Sequence, residues 1–357
     1  MVEWKKLGEV CEFERGRTIT AKDAVDGDIP VIAGGQTPSY YHNEANREGE
    51  SITVAGSGAY AGFVSYWNQP IFVSDAFTVE PKELLSHKYL YHWLKKNQEK
   101  IHATQKGAGV PHVHGKDIAN FLIPIPSLSE QERIVGILDT FTASIDNIKA
   151  QIEQRRKQYE HYRDQLLDLE GKEGVEMKTL GEVGNVSMCK RIMKEQTSDK
   201  GEVPFFKIGT FGGEADAFIS RELFTEYKRK YSYPRIGEIL LSASGTIGRS
   251  VIFDGTDAYF QDSNIVWISN DEKKALNKFL FYYYQIIDWK VDGGTIKRLY
   301  NYNLKNAIVY LPPIVEQKRI VSILDTFEAN IANLEAQLEQ RQKQYEYYRE
   351  ELLTNLS

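Results

Sequence analysis

The sequence predicts an α+β protein in which two different mixed α/β domains are each followed by nearly the same long coiled-coil helix. Three observations lead to this prediction. Residues 126–169 align without a gap on residues 312–355, at a constant offset of 186, and 27 of these 44 positions are identical. Both copies place apolar residues at alternating spacings of four and three, which is the pattern of a coiled-coil seam. The segments between the copies contain short β-type runs separated by glycine turns.

A second, shorter repeat opens each half of the chain. Residues 2–10 read VEWKKLGEV and residues 175–183 read VEMKTLGEV. The similarity is faint between these anchors, which indicates that a framework was duplicated and its contents diverged. We therefore expect a variable domain, a helix, a second variable domain and a second helix over residues 1–126, 127–172, 173–311 and 312–357.

The elements of the variable domains follow from local composition. β-type runs occur at Ile29–Ala33, Ser51–Ala55, Ile71–Val73 and Ile239–Leu241. Helical stretches occur near Lys88–Lys100 and Lys274–Asp288. Each variable domain is therefore expected to combine short strands with at least one helix.

The two long helices are predicted from their apolar seams. The seam residues of the first copy are Ile134, Leu138, Phe141, Ile145, Ile148, Ile152, Tyr159, Tyr162 and Leu166. Those of the second copy are Ile320, Leu324, Phe327, Ile331, Leu334, Leu338, Tyr345, Tyr348 and Leu352. Arg155 and Arg341 occupy the same seam slot of each copy. They either form a polar layer that sets the register of the pair or extend out of the seam into water.

Prolines mark the places where the long helices begin. Pro124 and Pro126 precede the first helix, and Pro312 and Pro313 precede the second; proline is tolerated ahead of the first helical turn. Residues 170–174, EGKEG, are expected to end the first helix and to link the two halves.

Two like helices in one chain most simply pair with each other, and an internal repeat predicts that the pair is antiparallel. About 34 helical residues that each rise ~1.5 Å span roughly 50 Å. Domains at opposite ends of such a rod would reach two sites about one turn of B-DNA apart, roughly 34–36 Å. The helices are therefore expected to act as a spacer between two recognition units.

Composition narrows the class of protein. The chain has 357 residues, long enough for two domains, and 41% of them are hydrophobic, as in a globular protein. Two cysteines, Cys11 and Cys189, favour a reducing compartment, and we find no apolar run of membrane-spanning length; both observations favour the cytoplasm. The net charge is −6 and no segment is strongly basic, which argues against a polycationic mode of DNA binding.

Motifs of catalysis are missing from the sequence. We find no phosphate-binding loop, no dinucleotide fingerprint and no Asn-Pro-Pro-aromatic motif of an adenine methyltransferase. Asp75 with Glu80 and Lys82 superficially resembles a nuclease cluster, but the second half keeps Asp262 without a matching Glu-x-Lys. His112 and His114 lack partners at metal-ligand spacing, so a structural role or a DNA contact is the preferred interpretation. We expect neither a metal nor a cofactor on this chain.

Polar and aromatic residues in glycine-rich loops are the candidate DNA contacts. Gln and Asn pair with adenine edges, Arg and Lys with guanine or phosphate, and aromatic rings stack on bases. The candidates in the first domain are Gln36, Thr37, Tyr40, Tyr41, Lys106, His112 and His114. The candidates in the second domain are Lys190, Arg191, Lys228, Arg229, Arg249, Lys297, Arg298, Tyr300 and Asn301.

The chain resembles the specificity subunit of type I restriction–modification systems over essentially its full length. The resemblance rests on LGEV at residues 7–10 and 180–183, and on IPIP with EQERIV at residues 123–135. It also rests on LPP with EQKRIV at residues 311–321. Each string is weak alone, but their ordered recurrence at both junctions is specific.

The resemblance implies a non-catalytic subunit with two target recognition domains, residues 1–126 and 173–311, that each read one half of a bipartite DNA sequence. It also implies two adenine methyltransferase subunits as partners, which bind S-adenosylmethionine, and optionally an endonuclease subunit that translocates DNA. The helical repeats of that family dock the methyltransferase subunits. Candidate contacts for this docking are Gln154, Gln158, Gln340 and Gln344.

Two features of the sequence bear on the target and on rival functions. The two variable domains have diverged so far that we expect an asymmetric target with unlike halves. The rival functions are an adaptor whose domains bind protein, and an enzyme such as a fused methyltransferase or nuclease. The missing cofactor motifs count against the enzyme.

Overall fold

The computed structural model describes residues 2–107, 109–293 and 297–354. Asn355, the last position of the predicted repeat, lies outside these ranges. The chain divides into two compact units. Unit 1 comprises Met1–Gln151 with Leu334–Ser357, and unit 2 comprises Ile152–Asn333. Each long helix therefore contributes one part to each unit.

The chain from the start of unit 1 to the end of the first long helix alternates short strands and helices. The strands are β1 (Glu3–Lys6), β2 (Cys11–Arg15), β3 (Ile29–Ile32), β4 (Tyr40–His42), β5 (Ser51–Ala55), β6 (Val64–Trp67), β7 (Phe72–Val73), β8 (Ala76–Pro81) and β9 (Leu122–Ile125). The helices are α1 (Leu7–Val10), α2 (His87–Lys96), α3 (Gln98–His102), α4 (Gly115–Ile118) and the long α5 (Leu128–Leu167).

The remainder of the chain follows a similar order. The strands are β10 (Glu176–Thr179), β11 (Gly184–Met188), β12 (Val203–Phe206), β13 (Phe218–Ile219), β14 (Ile239–Ser242), β15 (Ser250–Ile252), β16 (Tyr259–Phe260), β17 (Ile265–Asn270) and β18 (Ile308–Leu311). The helices are α6 (Leu180–Val183), α7 (Arg221–Lys230), α8 (Asn277–Tyr284), α9 (Asn301–Asn306) and the long α10 (Ile314–Thr354), with a 3₁₀ turn at Lys194–Gln196.

The sheets of the two units have the same topology. Each unit has an antiparallel four-stranded sheet, ordered β2-β8-β5-β6 in unit 1 and β11-β17-β14-β15 in unit 2. Each also has a three-stranded sheet, β4-β3-β7 or β13-β12-β16, in which one pair of strands is parallel. A two-stranded ribbon, β1-β9 or β10-β18, joins the start of the domain to the residues that precede the long helix. The internal repeat therefore extends to the variable domains.

The cores explain why these sequences form these elements. Every residue of the central strand β5 is buried, and so is every residue of its counterpart β14, as expected for strands covered on both faces. Helix α2 turns Tyr89, Leu90 and Leu94 into the core of unit 1. Helix α8 does the same in unit 2 with its aromatic residues. Ser86 begins α2, because its hydroxyl accepts the Tyr89 N–H at 3.3 Å.

The two long helices pair in antiparallel fashion, as the sequence predicts. In unit 1 the start of α5 packs with the end of α10: Ile134 and Leu138 share a core with Leu353. In unit 2 the end of α5 packs with the start of α10, where the Tyr162 ring stacks on Phe327 with centroids 5.4 Å apart. Ser127 begins α5, since its carbonyl and hydroxyl oxygens both accept the Glu130 N–H.

The two seam arginines differ in their environment. Arg155 is exposed and donates to the Gln158 side chain at 2.9 Å, so it extends out of the seam. Arg341 is half-buried, donates to Gln344 at 3.1 Å and lies 5.7 Å from the centre of the Phe141 ring. Of the two alternatives left open by the sequence, the exposed position holds for Arg155, and Arg341 stays against the seam.

The predicted elements of the variable domains are found with small shifts. Strand β5 has the predicted bounds, β3 ends one residue earlier, β7 begins one residue later and β14 ends one residue later. The predicted helix at Lys88–Lys100 is divided at Asn97 into α2 and α3, and the one at Lys274–Asp288 is the shorter α8. In the linker, Gly171 and Gly174 have φ values of 70° and 75°, a conformation that favours glycine. Across the described ranges, every helix is too short or too polar to cross a membrane.

Candidate nucleic-acid interface

A short segment between α3 and β9 fixes the first group of candidate residues on the four-stranded sheet of unit 1. We call residues 112–118 bridging segment 1. The main chain of His112 exchanges two hydrogen bonds with Lys106, at 2.8 and 3.0 Å, and forms a β-bridge to Ser57. The Val113 N–H donates to the Gly56 carbonyl at 3.0 Å. Val113 and Ile118 are buried, so the segment is anchored by its own apolar residues.

Residues 298–304, bridging segment 2, repeat this arrangement in unit 2 at the same offset of 186 as the long helices. The main chain of Arg298 exchanges two hydrogen bonds with Asp292, at 2.8 and 3.0 Å, and forms a β-bridge to Ser244. The Leu299 N–H donates to the Ala243 carbonyl at 2.8 Å. Leu299 and Leu304 are buried.

A second shared feature caps the short helix that each segment enters. The His114 N–H donates to the Asp117 carboxylate at 3.0 Å, and the Tyr300 N–H donates to the Asn303 amide oxygen at 2.9 Å. None of the seven residues is identical between the segments, which read HVHGKDI and RLYNYNL. The two units therefore share one backbone frame here and differ at every side chain.

The structure brings the glycine-rich turn after β3 close to bridging segment 1. A Cβ atom added to Gly34 would lie 2.4 Å from the Ser57 carbonyl oxygen, so this close approach requires glycine. Gln36, Thr37 and Tyr41 are exposed on this turn and the adjoining strand. Tyr40 is half-buried, and its hydroxyl donates to the Ile19 carbonyl at 2.6 Å. Tyr40 therefore supports the turn, while the other three side chains face solvent.

A cavity of about 410 Å³ opens beside bridging segment 1. Its polar lining includes Arg15, Asp75, His112, His114 and Lys116. The rings of His112 and His114 lie parallel, with centroids 6.2 Å apart and 10° between their planes. The cavity therefore carries cationic and imidazole groups on a fixed backbone.

Lys106 forms an ion pair with Asp117 of bridging segment 1. Burial opposes ionisation of Asp117, but the Lys106 ammonium and the His114 N–H outweigh it and lower the pKa of the carboxyl. The Lys106 side chain is 70% exposed. The Asp117 side chain is only 4% exposed, so the pair joins an exposed ammonium to a nearly buried carboxylate that also accepts the His114 N–H.

Arg298 is held inside unit 2. Its Nη2 atom donates to the Ser263 carbonyl at 2.8 Å, the Ser263 hydroxyl at 3.0 Å and the Asn264 side-chain oxygen at 3.1 Å. Ser263 has a φ of 54°, a conformation that residues other than glycine rarely adopt. Arg298 thus fixes a strained turn next to β17.

Lys190 and Arg191 lie close to that turn. Arg191 is exposed and donates to the Asp262 carboxylate at 3.0 Å. The Lys190 ammonium lies 5.3 Å from the centre of the Tyr231 ring at the end of α7. The structure therefore places Arg191 and Arg298 on adjoining residues of one turn, Asp262 and Ser263–Asn264.

The remaining basic candidates of unit 2 differ in how firmly the fold holds them. Lys228 pairs with Asp257 at 3.3 Å and lies over the Phe224 and Tyr233 rings. Arg249 donates to the Phe211 carbonyl at 2.8 Å. Arg229 is exposed near the end of α7.

The tip of bridging segment 2 carries two exposed tyrosines. The rings of Tyr300 and Tyr302 lie parallel, with centroids 5.9 Å apart and 5° between their planes. The Asp292 carboxylate accepts the Tyr302 hydroxyl and, at 2.7 Å, the Asn303 amide; the two bonds lower the pKa of Asp292. Lys297 and Asn301 are also exposed.

The four candidate docking glutamines lie on the long helices. Gln154 and Gln340 are exposed. Gln158 and Gln344 are half-buried and accept hydrogen bonds from Arg155 and Arg341, one in each copy.

Sequence reasoning missed several members of these groups. Lys116 sits in a stretch that the sequence marks as a loop, and Asp117, Asn264 and Asp292 act by fixing neighbours. One signal in the sequence could have found them. The offset of 186 that relates the two long helices also relates residues 112–118 to residues 298–304, although these segments share no identical residue. The Asp75 carbonyl accepts the Gly56 N–H, and in unit 2 the Asn264 carbonyl accepts the Ala243 N–H. Asn264, rather than Asp262, is therefore the counterpart of Asp75.

The residues that resemble a nuclease cluster do not share one set of contacts. Asp75 accepts a hydrogen bond from Ser57, whereas Glu80 lies 3.1 Å from the His87 ring. Lys82 lies 3.5 Å from the Glu9 carbonyl. In the part of the chain that the structure describes, no group of three His, Cys, Asp or Glu side chains could hold a metal ion.

Comparison with known proteins gives a consistent result over both halves. The model of the type I restriction modification DNA specificity domain matches residues 1–155 and 172–342. A putative type I restriction enzyme specificity subunit of Haemophilus influenzae is 44% identical over 383 residues, which cover 100% of this chain and 96% of the relative. The EcoR124I/EcoR124II specificity subunit of Escherichia coli is 29% identical, and the alignment covers 99% of this chain and 94% of that subunit.

Solved structures share the fold. The crystal structure of the S subunit of a type I restriction-modification system from M. genitalium superposes with a TM-score of 0.66 at 16% identity. This match covers 100% of this chain and 97% of the other. A chain from a structure of an assembling type I R-M system has a TM-score of 0.62 at 18% identity, over 99% and 97% of the two chains.

Proposed function

Because the chain belongs to the type I restriction–modification specificity subunit family, we propose that it reads a bipartite, asymmetric DNA target, one half with each unit. One observation carries the proposal of unlike halves. The two units have the same topology and the same main-chain bonds around their bridging segments, yet every side chain of those segments differs. The same backbone frame carries a different set of exposed side chains in each unit. This arrangement suits two DNA half-sites that differ in sequence.

The exposed groups have the chemistry of DNA contacts. Unit 1 presents His112, His114 and Lys116, which donate hydrogen bonds to guanine acceptors or to phosphate oxygens. Unit 2 presents Tyr300 and Tyr302, whose rings make apolar contacts, and the Tyr300 hydroxyl can donate or accept a hydrogen bond. Arg and Lys elsewhere on each unit supply phosphate contacts, which position the protein on the duplex.

We propose that two adenine methyltransferase subunits dock on the repeated helices, one on each copy. The 27 identities in 44 positions give two nearly equal surfaces, as two copies of one partner require. Gln154 and Gln340 are exposed at equivalent places, and Arg155 and Arg341 hold Gln158 and Gln344. S-adenosylmethionine and catalysis belong to the methyltransferase subunits, and an endonuclease subunit that translocates DNA is an optional further partner. The complex works in the compartment of its DNA, which is the cytoplasm.

The test is co-expression of this chain with a methyltransferase subunit encoded beside it, followed by sequencing of the methylated adenines of the host. We expect one motif with two unlike halves and a fixed gap, and its loss when this chain is omitted. A motif that persists without the chain, or a complex that fails to form, contradicts the proposal. Docking is tested in the same cells with Gln154→Arg and Gln340→Arg, which we expect to reduce co-purification, against Gln69→Arg at an exposed position as a surface control.

A further inference from the structure

The two bridging segments combine a fixed frame with variable exposed side chains. In each segment the second and seventh residues are buried, namely Val113 and Ile118 in unit 1 and Leu299 and Leu304 in unit 2. The main-chain bonds to the neighbouring strand and to the preceding loop are the same in both. The side chains at the third and fifth positions take no part in these main-chain bonds, so substitution there leaves the frame in place.

The third and fifth residues of each segment are exposed. They are His114 and Lys116 in unit 1, and Tyr300 and Tyr302 in unit 2. Tyr302 is 54% exposed although tyrosine is a large, partly apolar side chain. An exposed aromatic pair that is already stacked loses little side-chain entropy when a base or sugar packs against it.

The first residue of each segment plays a different part in the two units. His112 is exposed and its ring lies parallel to His114, so it belongs to the outward surface of unit 1. Arg298 is half-buried, and the two N–H groups of its Nη2 atom lie within hydrogen-bond distance of the Ser263 carbonyl, the Ser263 hydroxyl and the Asn264 side-chain oxygen. Its guanidinium also lies 6.0 Å from the centre of the Tyr300 ring, so it fixes the ring that the segment presents.

We infer that the bridging segments are equivalent specificity-determining elements, in which His114 and Lys116 read the half-site of unit 1 and Tyr300 and Tyr302 read that of unit 2, whereas Arg298 is a positioning residue. This inference rests on the proposed function. It separates Arg298 from its neighbour Lys297, which is exposed and contacts phosphate. It also assigns Lys116 to the reading of bases rather than to phosphate contact, and Tyr302 to contact through its ring.

The contrast between the two pairs accounts for unlike half-sites. Imidazole and ammonium groups donate to the O6 and N7 acceptors that guanine presents in the major groove. Tyrosine rings favour apolar contact, as with the thymine methyl group, and the Tyr302 hydroxyl is already engaged by Asp292. Unit 1 therefore reads bases with hydrogen-bond donors, and unit 2 reads them with aromatic rings. Equivalent positions of the two bridging segments select different base pairs.

The experiment measures binding of the full complex to two duplexes over a series of salt concentrations. One duplex carries the target found by methylation mapping, and the other carries the same bases in scrambled order. We expect Tyr302→Ala and Lys116→Ala each to lower affinity for the target about tenfold or more while affinity for the scrambled duplex stays the same. Lys297→Ala should instead weaken both duplexes and reduce the salt slope by about 0.9.

Arg298 is tested by a pair of variants that separates positioning from phosphate contact. Arg298→Ala should lower the preference for the target without changing the salt slope, and Arg298→Lys should keep the charge yet restore only part of that preference, because an ammonium cannot reproduce the planar fork. A slope that falls with Arg298→Ala and recovers fully with Arg298→Lys makes Arg298 a phosphate contact and overturns its assignment. Thermal unfolding of each variant shows whether the fold is kept, and the exposed variants Tyr302→Ala and Lys116→Ala test the reading positions if Arg298→Ala does not fold.

The half-site assignment is tested by methylation mapping of His114→Tyr combined with Lys116→Tyr. We expect the motif to change in one half and to stay the same in the other. If the wild-type complex methylates a bipartite motif and this double variant methylates the same motif, the inference fails while the proposed function stands. If the wild-type complex yields no motif, the proposed function itself fails.

Discussion

Gln131 and Gln317 make the same three hydrogen bonds in the two units. The Gln131 amide group donates to the carbonyls of Leu84 and Pro126, and its oxygen accepts the Ser86 N–H at 2.9 Å. The Gln317 amide group donates to the carbonyls of Lys274 and Pro312, and its oxygen accepts the Leu276 N–H at 2.9 Å. Both side chains are 0% exposed. Each glutamine thus fastens the start of a long helix to the loop that precedes α2 or α8.

Replacing either glutamine should destabilise its unit. Gln131→Ala and Gln317→Ala each remove three hydrogen bonds made by a fully buried amide group, and we expect a loss of about 1–3 kcal/mol in the free energy of unfolding. Urea denaturation followed by circular dichroism measures it. Gln154→Ala, at an exposed position, should change the free energy by less than about 0.5 kcal/mol. Equal effects of buried and exposed substitutions would refute this role.

His92 and Tyr282 also occupy corresponding places, and this pair predicts a pH dependence. His92 bonds Asp139 at 2.8 Å, and the Tyr282 hydroxyl bonds Asp325. Burial lowers the pKa of His92 from its ordinary value of 6.5, against the opposing effect of Asp139 and with help from Lys88 and Arg349.

Because the unfolded chain binds the His92 proton more readily than the folded chain, stability should fall as the pH drops below about 6.5. His92→Tyr installs the residue of unit 2, which has no charge change in this range. The variant should lose less stability than the wild type between neutral and mildly acidic pH in thermal unfolding. Parallel curves for the two proteins would show that His92 does not contribute.

The two cysteines should resist alkylation in the folded protein. Cys11 and Cys189 are buried and free, and burial raises the pKa of each thiol to about 12. The thiolate is the reactive form, so its fraction near pH 8 is very small. Mass spectrometry after iodoacetamide treatment should find both residues unmodified in buffer and modified in denaturant. Rapid modification in buffer would show that these sites open readily.

Lys106 should contribute to DNA binding through its charge. Lys106→Ala should weaken binding to any duplex and reduce the salt slope by about 0.9. It should also lower the free energy of unfolding, because the Asp117 side chain is only 4% exposed and loses its ammonium partner. Lys157, paired with Glu153 on a long helix, provides the matched control. Fluorescence anisotropy at several salt concentrations gives both slopes, and an unchanged slope for Lys106→Ala removes this residue from the interface.

The sequence predicts the long helices well because their signal is periodic over many turns and is present twice. Ile134, Leu138, Ile320 and Leu324 are all fully buried, as the seam pattern predicts. Short elements carry too few residues for a period, so α4 and α9 could not be recognised. The division of each long helix between two units is also invisible in the sequence, because it depends on contacts between residues far apart in the chain.

The sequence predicts where the candidate site lies better than it predicts what each residue does there. Residues 106–116 and 297–303 stand out as polar, glycine-rich or aromatic loops. That Arg298 turns inward while Lys297 stays exposed depends on Ser263 and Asn264, about 35 residues away. The equivalence of the bridging segments leaves no trace in identities, because main-chain hydrogen bonds and two apolar anchors suffice to hold the frame.

The position of Leu353 has a consequence for the order in which the protein folds during synthesis. This residue is 1% exposed and belongs to the core that Ile134 and Leu138 form in unit 1. A ribosome makes it only after all of unit 2 has been translated. The core of unit 1 therefore stays incomplete, with its apolar residues exposed, until the last turns of α10 have been made. The core of unit 2 is complete before that. Stalled or truncated translation products would expose this face, which makes them substrates for chaperones and proteases.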